Sequence, residues 1–255
     1  MDPILTVLRI GDIERPIGTY GVLIAMGIVV GAFLAARSAH RAHIDVGATI
    51  AVIGFSVGGG LVGSYVVFWF VELLRTGSPM TGIRAPGLVF YGGPLGGALA
   101  LFWSCRKLDV PAGRLLDVAM HALPAGHAIG RAGCFFGGCC YGSYWEGPWA
   151  VRYTHPIAPA SVPPIFRHPT PLYESALLMA FAWLLLLWRP TSVGSGRRAG
   201  VYMIGYACIR TVTELFRGDS VRGMYFGGAV STSQLISMAL FAGGCIVIVM
   251  TRRKA

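Results

Sequence analysis

Charge is what this sequence has little of. Only 13% of its 255 residues are Asp, Glu, Lys or Arg, and acidic side chains number 11. A soluble domain carries about a quarter charged residues, so a freely soluble globule is excluded. The start, "MDPILTVLRIGDIERPIG", lacks a basic region followed by a short apolar core, and no cleavable signal peptide is expected from it. No internal repeat or low-complexity tract stands out. The net charge of +10 comes without a basic patch interleaved with aromatics, which argues against nucleic acid as a partner.

What is present is apolar: 55% of the chain is hydrophobic, in recurring runs of about 18 residues or more, enough to cross a bilayer core of roughly 30 Å. The expected fold is an all-α integral membrane protein, a single membrane domain over residues 1–255. About seven helices are expected, near 18–36, 46–73, 87–105, 115–130, 171–188, 200–217 and 229–250. The second is long, and a tilt or bend is expected near "GGG" at 58–60.

Basic residues set the expected orientation. Dense clusters stand at Arg37 and Arg41, at Arg106, Lys107 and Arg114, at Arg189, Arg197 and Arg198, and at Arg252, Arg253 and Lys254. Short loops rich in Lys and Arg face the cytoplasm, which places the N-terminus outside and the C-terminus inside. The longest connection, about 131–170, then lies at the external face. It holds Pro148, Pro156, Pro159, Pro163, Pro164 and Pro169 with Trp145 and Trp149, so a small irregular external head between helices four and five is expected.

Ionisable residues inside a span are costly and often mark function. In "GYACIRTVTELFRGD", Tyr206, Arg210 and Glu214 recur every four residues and Arg217 follows three later, so one helical stripe carries all four. The stripe reads either as a buried Arg210–Glu214 pair that orders the bundle or as part of a phosphate clamp, since guanidinium binds phosphate oxygens bidentately. "RHPTPLYE" supplies a helix start, with Thr170 expected as N-cap and Pro171 in the first turn. His168, Tyr173 and Glu174 then sit near a helix N-terminus, which favours anions. Tyr20 begins the first helix, and glycines surround Tyr91 in "GLVFYGGPLGGALA".

In this order, the pieces resemble the bacterial prolipoprotein diacylglyceryl transferase family from about Tyr20 to Arg217. "GRAGCFFGGCCYG" at 130–142 is similar to the family signature G-R-x-G-N-F-x-N-G-E-x-x-G. "YGVLIAMG" at 20–27, "FYGGPLGG" at 90–97, "HPTPLYE" at 168–174 and "GYACIRTVTELFR" at 205–217 support it. The resemblance implies seven spans in a bacterial inner membrane and a site open to the external half. It also implies transfer of diacylglycerol from phosphatidylglycerol to the lipobox cysteine thiol of a preprolipoprotein, with glycerol phosphate leaving. Membrane lipids, phosphatidylglycerol and the lipobox peptide are the implied partners. No metal or soluble cofactor is required by that chemistry.

Carried over residue by residue, the resemblance assigns Arg131 and Arg210 to the phosphate. It assigns Tyr206 and Tyr20 to the headgroup or to orienting those arginines, and Glu214 to fixing Arg210. Gly142 and the His168–Glu174 element, Tyr173 included, join the substrate-binding set. The chain departs from the pattern where Cys134 replaces the signature asparagine and Cys139 its glutamate, with Cys140 following. Tyr91 stands where many members have a histidine, and is the candidate catalytic residue there; His127 and His168 are possible substitutes as base. Pro171 replaces a common glutamine. The three cysteines read as apolar packing, a disulfide, activated or redox thiols, or metal ligands together with His121, His127 or His168, although they lack the C-x₂-C spacing of a zinc motif. Rival functions are a related headgroup transferase with another acceptor or thiol redox chemistry, and a lipid-binding or transport protein without catalysis.

Overall fold

The computed structural model describes residues 2–10, 13–76, 92–161, 163–188, 195–218, 223–225 and 230–252. Tyr91 lies outside them. The chain opens with an antiparallel hairpin, β1 (Ile4–Ile10) and β2 (Ile13–Gly18), whose base is tied to the first helix. There the Thr19 amide donates to the Pro3 carbonyl at 2.9 Å and its hydroxyl to the Asp2 carbonyl at 2.8 Å. Helices α1 (Thr19–Arg41), α2 (Val46–Thr76), α3 (Gly92–Lys107), α4 (Ala112–Ala119) and α5 (Ala122–Phe136) follow. A short sheet of β3 (Val151–Arg152) and β4 (Phe166–Arg167) precedes α6 (Thr170–Leu187) and α7 (Arg197–Glu214). A third, equally short pair, β5 (Met224–Tyr225) and β6 (Val230–Ser231), leads into α8 (Thr232–Arg252).

Among the described residues four helices, α1, α2, α6 and α8, are long and apolar enough to cross a membrane, with mean hydropathies of 2.1, 1.9, 1.5 and 2.0. Their outward faces are apolar: Val29, Phe33, Val62, Trp183, Leu187 and Met238 are all more than 60% exposed. Arg131, Glu174, Arg210 and Glu214 are buried. Water would reverse this arrangement; a lipid surround explains it, because polar groups in hydrocarbon must find partners inside the protein.

Close helix contact depends on missing side chains. A Cβ placed on Gly27 of α1 would lie 2.4 Å from the carbonyl oxygen of Gly126 in α5, and one on Gly126 would lie 2.5 Å from that of Gly27. Backbone therefore touches backbone, as small-residue seams permit in membranes. The same device joins α2 to α3, where Gly63 faces Gly92 and Gly59 faces Gly96. The glycines at 58–60 thus include part of a contact seam, and α2 runs unbroken through them.

Where one helix was expected over 115–130, the structure has two, broken at Met120–His121. Pro124 explains the break. It has no N–H for the Met120 carbonyl, and its ring would clash with that carbonyl in a continuous helix; in the first turn of α5 it is tolerated.

Asp117, in the short α4, caps α7. It is 1% exposed, and its carboxylate accepts from the amides of Gly196 and Arg198, each at 2.9 Å. The Arg198 guanidinium in turn donates to the carbonyls of Asp117, at 2.6 Å, and Trp188. A carboxylate on the orphan amides of a helix start matches both their hydrogen bonds and the helix dipole. Asp117→Ala should therefore destabilise the protein by about 1–3 kcal/mol, read as earlier thermal unfolding in detergent, and Asp117→Asn by less.

Candidate functional site

The polar interior is assembled by four helices. Arg131 comes from the last turns of α5, Glu174 from the first turn and a half of α6, Arg210 and Glu214 from the end of α7, and Ser233 from the start of α8. Glu174 is central: its Oε1 lies 3.0 Å from Arg131 Nε and its Oε2 3.3 Å from Arg210 Nη1. Glu214 Oε2 sits 2.8 Å from Arg210 Nη2, which also donates to Ser233 Oγ at 2.7 Å. Two cations and two anions cancel. Each is no more than 8% exposed, a burial that charges accept only when paired.

Of the two readings of the α7 stripe, the structure holds the buried pair. Arg210 and Glu214 do pair, and Glu174 bridges that pair to Arg131. The two guanidinium groups therefore converge on one carboxylate, where an anion with two or three oxygens could also be gripped. Glu174 Oε1 is out of hydrogen-bond alignment with Arg131 and accepts no hydrogen bond among the described residues. It is a buried acceptor to which a ligand hydroxyl could donate.

Tyr206 is buried in an aromatic column beneath the charges. It stacks on Tyr202 at 5.9 Å and lies 5.5 Å from the His127 ring. His127 Nε2 accepts from Arg131 Nε at 3.2 Å. Its lone pair is thus committed, and taking a substrate proton there would require Arg131 to let go. Tyr20, half exposed, packs at the start of α1 against Gly133 and Gly137 at the end of α5.

The segment between α5 and α6 folds over this end. It has a small core of Tyr153, Ala158 and Ala160, and the Arg167 guanidinium lies 4.4 Å over the Tyr141 ring. Gly142 is where three strands of chain cross. A Cβ there would lie 2.4 Å from His168 Cβ and 2.9 Å from the Phe216 carbonyl oxygen, so in this structure its part is to permit the crossing. The Gly142 amide donates to the His168 carbonyl at 3.0 Å and the Ser143 amide to that of Phe216 at 2.8 Å. His168 stacks on Trp145 at 4.6 Å and shares a 3.1 Å hydrogen bond with the Tyr173 hydroxyl. Loss of water around the ring holds the His168 pKa below its ordinary value, so the imidazole is neutral at pH 7.

Thr170, expected as N-cap, lies inside the helix; Pro169 takes the cap position and the Thr170 hydroxyl donates instead to the Cys140 carbonyl at 2.7 Å. That bond ties the cysteine loop to α6. The sulfurs of Cys134, Cys139 and Cys140 all lie within 4.8 Å of one another as free thiols, and Arg131 Nη1 donates to Cys140 Sγ at 3.8 Å. Sequence reasoning missed Ser233 and the Trp145–His168 stack. Neither carries a local signal, since each depends on where distant segments meet.

Fold and site together define a helical membrane protein with two buried, carboxylate-paired arginines at one end of its bundle. The chain belongs to the prolipoprotein diacylglyceryl transferase family, whose sequence model matches residues 6–250. It is 31% identical over 239 residues to the phosphatidylglycerol–prolipoprotein diacylglyceryl transferase of Clostridium tetani, covering 91% of this chain and 92% of that one. The enzyme of the same name from Synechococcus elongatus is 30% identical over 255 residues, 96% and 86% of the two chains. That of Vibrio cholerae is 29% identical over 264 residues, spanning all of this chain and 93% of its own.

The charge network yields a stability prediction. Glu174→Gln removes the carboxylate between two buried guanidinium groups and leaves Glu214 paired with Arg210, and should cost about 3–5 kcal/mol. Adding Arg131→Met to Glu174→Gln should recover part of that loss in thermal unfolding, because the uncompensated charge is removed.

Proposed function

We propose that this chain transfers the diacylglyceryl group of phosphatidylglycerol to the cysteine thiol of a prolipoprotein. The observation that carries the reading is the convergence of Arg131 and Arg210 on Glu174. A phosphate diester entering there meets two planar guanidinium forks. As the sulfur of the acceptor forms its bond to the glycerol carbon, the carbon–oxygen bond to phosphate breaks, and negative charge grows on the departing glycerol phosphate beside those forks. Fixed cations placed where charge develops lower the barrier. The acceptor thiol gives up its proton, which ends on the departing glycerol phosphate or in water, to become the nucleophile.

Other contacts fit the donor lipid. The free lone pair of Glu174 Oε1 suits a hydroxyl of the glycerol headgroup. A groove between α7 and α8, lined by Ala207, Cys208, Val212, Met238 and Phe241, starts within a turn of Arg210 and suits an acyl chain. Tyr206 supports the site from below, and Tyr20 borders its cysteine side. Tyr91 remains a candidate catalytic residue on the resemblance alone, with His168, Tyr173, Cys134, Cys139 and Gly142 at the rim.

In this reading the chain crosses the bacterial inner membrane seven times. Helices α3, α5 with its short lead α4, and α7 add to the four long apolar ones. The N-terminus and the α5–α6 head face outside and the C-terminus faces the cytoplasm, as the basic clusters favour. Cysteines introduced near residues 40, 110 and 195 should react with impermeant reagents only from the cytoplasmic side. Those between 143 and 168 should react from outside, and the reverse pattern would overturn the orientation.

The activity test is mass spectrometry of a lipobox peptide incubated with purified protein and phosphatidylglycerol. A diacylglyceryl thioether adduct is expected. Arg131→Lys and Arg210→Lys retain charge but lose the fork, and each should slow transfer by about a hundredfold or more. Arg152→Lys, in the head, should change it little. Near-parental transfer by both fork variants would show the arginines to be structural.

A further inference from the structure

We infer that Cys134, Cys139 and Cys140 form a three-thiolate site for a thiophilic divalent metal ion of the zinc class. The geometry supports this first. Zinc–sulfur bonds of about 2.3 Å in tetrahedral array place sulfurs about 3.8 Å apart. The three sulfurs here lie within 4.8 Å of one another. The closure required is about 1 Å, within reach of small rotations about the Cα–Cβ bonds.

The backbone supports it second. The sequence places the cysteines at intervals of five and one, which no ordinary zinc motif uses. Folding removes that objection. Cys134 lies on the last helical turns of α5, and the chain then reverses through Gly138 (φ +66°) and Cys140 (φ +56°). A left-handed cysteine costs about 1–2 kcal/mol, which simple packing does not require. It is held by the Cys139 amide donating to the Cys134 carbonyl at 3.1 Å, the Ala160 amide to the Gly138 carbonyl at 3.0 Å, and the Thr170 hydroxyl to the Cys140 carbonyl. The reversal sets the sulfurs of residues 139 and 140 against that of Cys134.

Electrostatics supports it third. Three thiolates and one divalent cation carry a net charge of −1. Arg131, which also pairs with Glu174, faces that charge through the Nη1 that donates to Cys140 Sγ at 3.8 Å. Hydrogen bonds of this kind to metal-bound ligands orient them and stabilise their charge. Cys134 is buried, whereas Cys139 and Cys140 are only half-buried, so an ion has a path in. On binding, the three thiols release their protons to solvent and the fourth position stays open to water or another donor.

Purified protein in detergent, reduced with a phosphine and freed of metal, is titrated with cobalt(II) and then zinc(II). One equivalent of cobalt should give tetrahedral ligand-field bands with sulfur-to-cobalt charge transfer, displaced by zinc. Zinc should also shield peptides containing residues 134, 139 and 140 from alkylation. Cys139→Ser and Cys140→Ser, at less buried positions than Cys134, should weaken cobalt binding by more than about a hundredfold, and Cys208→Ser should leave it unchanged. Cobalt bound no more tightly by the reduced parent than by these variants would overturn the site. So would a disulfide among the three cysteines whose reduction restores no cobalt spectrum. The readout involves neither lipid nor peptide. Metal binding without lipid transfer would therefore count against the proposed function alone, and transfer without metal binding against the site alone.

Discussion

A single carboxylate holding two guanidinium groups apart and together is the constraint on which this bundle depends. Among the described residues Glu174 pairs with both Arg131 and Arg210, and Glu214 is the other carboxylate on them. Isolated ions in such surroundings would cost several kcal/mol each. The network therefore forms nearly complete or not at all, and it draws α5, α6, α7 and α8 to one point. Such pairing adds little stability over a well-packed apolar core. It does fix where two planar cationic forks stand.

Around that point the apolar parts behave as a membrane demands. Side chains that would form the core of a soluble protein face outward, and helices meet through glycines, backbone against backbone. The small core of Ala128, Leu178 and Tyr206 lies among the helices that carry the charges, giving the ionic cluster a rigid floor. The seam at Gly27 and Gly126 fixes α5 against α1 within two turns of Arg131.

Much of this was legible in the sequence where periodicity is the signal. The spacing of Tyr206, Arg210 and Glu214 required one helical face, and the apolar runs required a membrane. The bridge made by Glu174 was not legible, because it joins residues 131, 174 and 210, and pattern reading is local. The break between α4 and α5 could have been read from Pro124, in a stretch that Asp117 and His121 already interrupt. Thr170 looked like a cap by residue type, yet a preceding proline took that place and freed its hydroxyl for Cys140. The cysteine spacing argued against a metal because spacing rules assume particular turns, and a left-handed reversal is not among them.

The cap at Asp117 has a consequence for the other end of the same helix. α7 is anchored by its first amides to α4 and by Arg210 to α6 and α8, so it cannot slide along its own axis. Arg210 lies twelve positions after Arg198, about 18 Å of helix. That length acts as a ruler. It sets the depth of Arg210 in the bundle, and inserting or deleting a residue between the anchors would change both the depth and the direction of the guanidinium.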